Sequence, residues 1–284
     1  MSEDKNQPLQ PQLVELYNDL LALVAPEEAV SFDPVDYDIR QRWKEGTPLL
    51  GCVGFQIDPA AFFGLMEKMR EVMQKFQPER LAELDQALKV MPADAEGRTR
   101  LIDRVLRRDS TAVDQLIDEH KVADDVVTFL ISQTLRPFMR VIAKRMDEEF
   151  DYDTWHRGTC PVCGGNPNMA RFTRGSGQRK LYCSLCECEW YFKRIGCPYC
   201  DTSDPEKIRY FTVDKNTRYR VYICDVCRGY IKTVDDSAAI AGQETELFWE
   251  DAKTINLDLL AMQEGFINKS IELPVQPGES KSVQ

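Results

Sequence analysis

The chain has 284 residues, 43% hydrophobic and 29% charged, with 47 acidic against 36 basic side chains and a net charge of −11. That length can bury a sizeable core and suggests about two domains. The acidic balance argues against a general nucleic-acid binder, and no segment approaches the ~20 apolar residues that cross a membrane. Met1 to Gln7 has neither a basic nor an apolar stretch, so no secretory signal is expected.

From Pro11 to about Ala25, apolar residues recur at Leu13, Val14, Tyr17, Leu20, Leu21 and Val24, a helical spacing that Pro26 stops. Val35 to Trp43 reads as a second short helix and Gly46 to Gly51 as a loop; Cys52 beyond it is expected to be a small buried residue. Asp58-Pro59 is a helix start, an N-cap aspartate followed by proline at the first helical position. Phe62, Phe63, Leu65, Met66, Met69, Val72, Met73 and Phe76 carry that helix as a core stripe. Pro78 opens another through Val90, Pro92 ends it, and Arg98 to Arg107 forms a shorter one. Ser110 caps a helix that reaches His120, a surface histidine near its C-terminus. Ala123 to about Met146 is the longest helical pattern, with Pro137 expected to kink or break it. Nothing in Met1 to Phe150 looks like strand pairing, so this part reads as an all-α domain.

Asp151 to Thr154 is the expected linker, after which the apolar period changes from 3.6 to 2. Asn168 to Arg174 and Gln178 to Cys183 form a hairpin around Gly175-Ser176-Gly177, with Trp190 to Ile195 as a third strand. Ile208 to Val213 and Arg218 to Ile223 form a second hairpin around Asp214 to Thr217, followed by Tyr230 to Val234. Cys160 to Cys197 sets a period of 37 residues, so residues 151–195 and 196–235 read as two small ribbon modules in tandem. From Ser237 the pattern returns to helix, with Gly265 as a C-cap and Leu273 to Gln284 as a loose tail. The expected class is α+β: a helical domain over 1–150, two metal modules, and a helical segment with its tail over 236–284.

Nine of the ten cysteines lie between Cys160 and Cys227, and eight form C-x-x-C pairs: Cys160/Cys163, Cys183/Cys186, Cys197/Cys200 and Cys224/Cys227. Two such loops can turn four sulfurs to one tetrahedral point, which suits zinc or iron, so two metal ions per chain are expected. Disulfides or unpaired thiols are the bland alternative, and regular doublets at this spacing weigh against them. Each hairpin brings its own two doublets together, which favours sequential pairing over an interleaved cross-brace. Cys188 makes a local C-x-x-C-x-C and reads as a strand residue or a spare thiolate; His156 reads as surface packing or an outer hydrogen bond to the first site. Thiolate sites without an export signal indicate a reducing cytoplasm. A closed S₄ shell leaves no open position for water or substrate, and no dinucleotide fingerprint, P-loop or nucleophile elbow is present, so no enzyme is expected. Arg157 to Lys232 carries 14 basic and 7 acidic residues; two metal–tetrathiolate sites would each add about −2, leaving that segment only mildly basic.

The run Cys160-Pro161-Val162-Cys163-Gly164, Pro167, Leu181, Cys183, Cys186, Glu189-Trp190, Arg194, Cys197-Pro198, Cys200, Cys224, Asp225, Cys227, Tyr230 and Lys232, with Leu257-Asp258 and Glu264-Gly265-Phe266 downstream, resembles the FdhE family of formate dehydrogenase accessory proteins. The resemblance is strong from about Arg157 to Phe266 and only general before it. It implies paired rubredoxin-like (zinc-ribbon) modules on a helical domain. It also implies a cytoplasmic, non-catalytic factor that binds the molybdenum- or tungsten-containing catalytic subunit during maturation, with the doublets involved in zinc or iron binding. Trp190, Arg194, Tyr230 and Lys232 are the expected partner contacts, since aromatic and arginine side chains dominate interfaces. A rubredoxin-like one-electron carrier and a nucleic-acid-binding ribbon built on Arg171, Arg174, Arg179 and Lys180 are the other readings. The sequence leaves open zinc against iron, and whether the chain forms a homo-oligomer.

Overall fold

The computed structural model describes residues 11–109, 111–213, 218–240 and 245–271. The chain divides into two compact units, Met1–Arg40 with Leu50–Met146, and Gln41–Leu49 with Asp147–Gln284.

The first unit contains α1 (Pro11–Ala22), β1 (Val30–Phe32), the start of α2 (Tyr37–Glu45), nearly all of α3 (Leu49–Cys52), β2 (Phe55–Ile57), α4 (Pro59–Phe76), α5 (Leu81–Lys89), α6 (Ala95–Leu106), α7 (Thr111–His120) and nearly all of α8 (Asp124–Asp147). The Asp58 carboxylate accepts from the Ala60 and Ala61 N–H groups, at 3.2 and 3.3 Å, ahead of Pro59. Six of the eight stripe residues on α4 are buried. α8 is the core helix: Val127, Leu130, Phe138, Met139, Ile142 and Met146 are fully buried. By length and composition it would pass for a membrane span, but two-thirds of that window lies inside the protein. It runs unbroken through Pro137. α6 starts earlier than its apolar spacing suggests, because Asp94 caps it through the Gly97 N–H at 2.8 Å. The expectation of no strand pairing here needs correction: Val30, Ser31 and Phe32 pair antiparallel with Ile57, Gln56 and Phe55. Three-residue strands are too short to show a period. Cys52 is half-buried and His120 exposed; the proposed Ser110 cap lies outside the described residues.

The second unit is built on one six-stranded sheet, from β3 (Met169–Phe172), β4 (Arg179–Tyr182), β5 (Glu189–Phe192), β6 (Ile208–Phe211), β7 (Tyr219–Cys224) and β8 (Tyr230–Asp235). The strand order is β5-β4-β3-β8-β7-β6. Each ribbon is an antiparallel three-strand meander, and the two fuse where β3 pairs parallel with β8, Met169 opposite Lys232 and Phe172 opposite Asp235. The first hairpin closes over residues 173–178, with Gly175 and Gly177 at positive φ; the second turn, Asp214 to Thr217, lies outside the described residues, as does the Leu273 to Gln284 tail.

One sheet face is covered by α9 (Leu247–Lys253) and α10 (Ile255–Gln263). Val221, Ile223 and Tyr230 pack with Leu257, Ala261 and Phe266, and Met169, Tyr182 and Val234 pack with Leu247. Gly265 ends α10 at φ 79°, with its N–H on the Met262 carbonyl and that of Phe266 on Ala261. Gln41–Leu49 belongs to this unit because Trp43 packs between Phe150 and Trp155, ring centroids 5.2 and 5.1 Å away.

Candidate metal centres

The four doublets share one backbone. In each, the residue after the second cysteine sits at positive φ and its N–H bonds the carbonyl of the first cysteine: Gly164 to Cys160 (2.9 Å), Glu187 to Cys183 (2.8 Å), Asp201 to Cys197 (3.0 Å) and Arg228 to Cys224 (2.9 Å). The next residue returns a carbonyl to the first cysteine N–H, from Gly165, Cys188, Thr202 and Gly229. This tight turn aims backbone N–H groups at sulfur: Cys163 N lies 3.4 Å from Cys160 Sγ, and Gly165 N 3.4 Å from Cys163 Sγ. Only the first turn uses glycine, although a left-handed residue with a side chain costs about 1–2 kcal/mol. A Cβ at Gly164 would come within 2.8 Å of Pro48 Cγ, so here glycine is needed for room as well.

The sulfurs form two groups, Cys160, Cys163, Cys183 and Cys186, and Cys197, Cys200, Cys224 and Cys227, each with all atoms within 4.8 Å. This is the sequential grouping. Cys160 and Cys186 sulfurs are 3.3 Å apart and those of Cys163 and Cys183 3.5 Å; Cys197 and Cys227 lie at 3.6 Å, Cys200 and Cys224 at 3.7 Å. A tetrahedral zinc site with bonds of about 2.3 Å has sulfur edges of about 3.8 Å, so both groups fit a tetrathiolate metal. Disulfides need about 2.05 Å, and all ten cysteines are free.

Electrostatics give the same answer. In the first group burial opposes ionisation of Cys160, but hydrogen bonds from Cys163, Cys183, Cys186 and Cys188 hold its thiol well below the usual range. Burial first, then Cys160, pushes Cys186 and Cys188 far up. A buried cluster of this kind keeps one negative charge among its thiols; only a bound cation lets four ionise together. In the second group a hydrogen bond from Cys197 draws Cys227 down to about 5, and burial raises Cys200 to about 11. The first group is wholly buried, whereas Cys200 is exposed and Cys227 half-buried.

Neighbouring groups fix the centres in place. The Pro161 carbonyl, inside the first knuckle, accepts from Leu49 N at 2.9 Å and Trp43 Nε1 at 3.3 Å. Tyr199, inside the third, donates to the carbonyls of Pro167 and Tyr230, each at 3.0 Å. Arg179 is fully buried, donates to the Gly196 carbonyl beside Cys197 at 2.9 Å, and lies over the Tyr222 ring at 5.3 Å. His156 is exposed, at φ 51°.

The four expected partner contacts divide. Trp190 is fully buried, its indole N–H on the Arg157 carbonyl at 2.8 Å. Tyr230 is buried and donates to Asp258 Oδ1 at 2.9 Å. Lys232 is buried between Asp251 Oδ1 and Asp258 Oδ2, 2.7 Å from each. Burial pushes the Asp258 carboxyl up, and Lys232 pulls it back. Tyr230 and Lys232 hold α9 and α10 on the sheet and Trp190 ties β5 to the chain at Arg157, so the types of all three have a structural cause. Arg194 alone is exposed, bonded to the Gly177 carbonyl and 4.9 Å over Phe172. Spacing gave no sign that Arg179 is buried, nor of the Trp43 contact: a buried arginine with no carboxylate partner among the described residues, and a tryptophan from over a hundred residues upstream, have no local pattern.

The family description "FdhE, central domain" matches residues 159–194. A "Protein FdhE homolog" of Aquifex aeolicus is 28% identical over 155 residues, 52% of either chain. A "Protein FdhE" of Escherichia coli O157:H7 is 32% identical over 128 residues, 44% of this chain and 40% of that one. The chain thus spans about half the length, or less, of the curated relatives it matches. The crystal structure of the FdhE protein from Pseudomonas aeruginosa has the same fold, with a TM-score of 0.61 at 21% identity over 94% of this chain and 88% of that one. In its cysteine knuckles and its central segment the chain is similar to the FdhE family, and these relatives carry that similarity.

Proposed function

We propose that this chain is a cytoplasmic accessory protein for formate dehydrogenase, binding the immature molybdenum- or tungsten-containing catalytic subunit during its maturation. The observation that carries the reading is the pair of four-cysteine groups in an FdhE-type chain. Each group offers a metal four sulfurs, which closes a tetrahedral shell and suits folding and docking rather than turnover. Cys160, Cys163, Cys183 and Cys186 would hold one zinc or iron ion, and Cys197, Cys200, Cys224 and Cys227 the other. The metal supplies folding free energy that a ribbon of this size lacks by itself.

The test is formate dehydrogenase activity in cells lacking this chain, with catalytic-subunit abundance measured beside it. Lost activity at normal abundance supports a maturation role, and loss of both supports a stabilising chaperone. Normal activity and abundance refute the proposal. One-electron transfer is the second reading, favoured by the exposed Cys200 at the second centre. It requires bound iron with a reversible couple, and a colourless zinc protein from iron-replete anaerobic cells removes it.

A further inference from the structure

Cys188 lies outside the doublets, yet its sulfur is 3.3 Å from Cys160 Sγ and 3.4 Å from Cys186 Sγ. Cys160 and Cys186 are themselves 3.3 Å apart. The three sulfurs form a nearly equilateral triangle, so Cys186 and Cys188 stand equally far from Cys160. A fifth sulfur thus adjoins the four of the first centre, on the side of Cys160 and Cys186.

The internal repeat shows that this is not a property of the knuckle. The residue two places after the second cysteine gives its carbonyl to the first cysteine in all four turns, and it is Gly165, Cys188, Thr202 or Gly229. Gly229 is the counterpart of Cys188 in the second module, and a Cβ there would meet the Tyr199 ring at 2.6 Å. A side chain at this position therefore turns inward, toward the opposing knuckle. The second module leaves the position bare; the first places a sulfur in it, 7% exposed. Glu187, at φ 59°, bends the chain so that Cys186 and Cys188 both face Cys160.

We propose that Cys188 is an alternative ligand of the first centre, able to replace Cys186 on a tetrahedral zinc or ferrous ion. Cys160, Cys163 and Cys183 stay fixed, and the fourth vertex is shared. In the exchange the metal–sulfur bond to Cys186 breaks and one to Cys188 forms. The Cys188 thiol proton passes across 3.4 Å to the departing Cys186 thiolate, so charge and oxidation state are unchanged. The first centre therefore keeps four thiolates when one vertex is lost; the second centre has no such reserve among the described residues.

The inference rests on the two groups binding metal, which the wild-type count of two equivalents per full-length chain tests separately. Metal content is then measured by elemental analysis and native mass spectrometry. Cys183→Ser is expected to hold one equivalent. Cys186→Ser and Cys188→Ser should each hold two, and the Cys186→Ser/Cys188→Ser double variant one. A Cys186→Ser chain holding only the second-centre ion, or a double variant holding two, overturns the proposal. If the Cys186→Ser chain fails to fold, the cadmium-113-loaded wild type decides. Cysteine β-protons of both Cys186 and Cys188 should couple to the first-centre ion; coupling from Cys186 with none from Cys188 refutes the exchange.

Discussion

Lys232→Met is the sharpest test of what the cation on β8 does. Its ammonium group bonds Asp251 Oδ1 and Asp258 Oδ2, each at 2.7 Å, and the Asp251 carbonyl at 2.9 Å, with 3% of the side chain exposed. Methionine keeps the length and removes the charge. Breaking a buried ion pair costs about 3–5 kcal/mol, because the partner stays buried and uncompensated. Asp251 is 38% exposed and contributes little of this, whereas Asp258 is 15% exposed and contributes most. A loss of about 3 kcal/mol follows, or roughly 6–12 °C in the unfolding of a unit of this size. The pH dependence has a definite sign. Burial already raises the Asp258 carboxyl in the folded chain. Removing Lys232 raises it further, so stability lost at neutral pH returns as acid protonates Asp258, and the deficit against wild type narrows below neutral pH. Adding Asp258→Asn to Lys232→Met, which keeps an acceptor for Tyr230, should recover more than half of the loss. Denaturation of the metal-loaded chains measures all of this. A single-variant cost below about 1 kcal/mol, or a double variant no better than the single, would refute a buried pair that clamps α9 and α10.

Gly164→Ala should cost about 2 kcal/mol or more in thermal unfolding, from left-handed strain plus the Pro48 contact, whereas Asp201→Gly should be neutral or slightly stabilising. Equal effects at the two positions would show that Pro48 does not close the first knuckle. Stepwise addition of a chelator with an alkylating reagent should free the second centre first, labelling Cys200 and Cys227 before any first-group cysteine, because Cys200 is exposed and the first group is buried. Peptide mass mapping reads the order, and early labelling of Cys160 or Cys163 contradicts it.

The doublets, the hairpins and the docked C-terminal helices were legible because each has a local period or spacing. The grouping of sulfurs followed from hairpin closure, which brings Cys183 back to Cys163 and Cys224 to Cys200. The fusion of the two ribbons was not legible. β3 and β8 lie some sixty residues apart, and a parallel pair between them has no connecting turn to announce it. Nor was the burial of Tyr230 and Lys232. An alternating strand with an aromatic and a lysine fits an exposed face equally well until Asp251 and Asp258, on elements that follow, cover it. Trp190 is ambiguous in the sequence for a related reason: tryptophan marks interfaces and cores alike, and its bond to the Arg157 carbonyl has no local signature.

The same knuckle occurs four times, so what distinguishes the two centres lies around them. The first is buried, tied through Pro161 to Trp43 and Leu49, and provided with a fifth sulfur. The second sits beside a buried guanidinium, Arg179, and opens one cysteine to solvent. Because β3 is laddered to β8, the two ribbons share one sheet, and disorder in either would reach a strand of the other. The buried Trp190, Tyr230 and Lys232 belong to that common framework, and changing them alters the framework before it alters any contact. The side chains that the framework leaves in solvent include Arg194 and the large apolar groups of Ile195, Tyr210 and Val226, the last inside the fourth knuckle. Changing these groups leaves the sheet and both sulfur clusters whole, so a loss of the proposed client binding on changing them would report contact rather than unfolding.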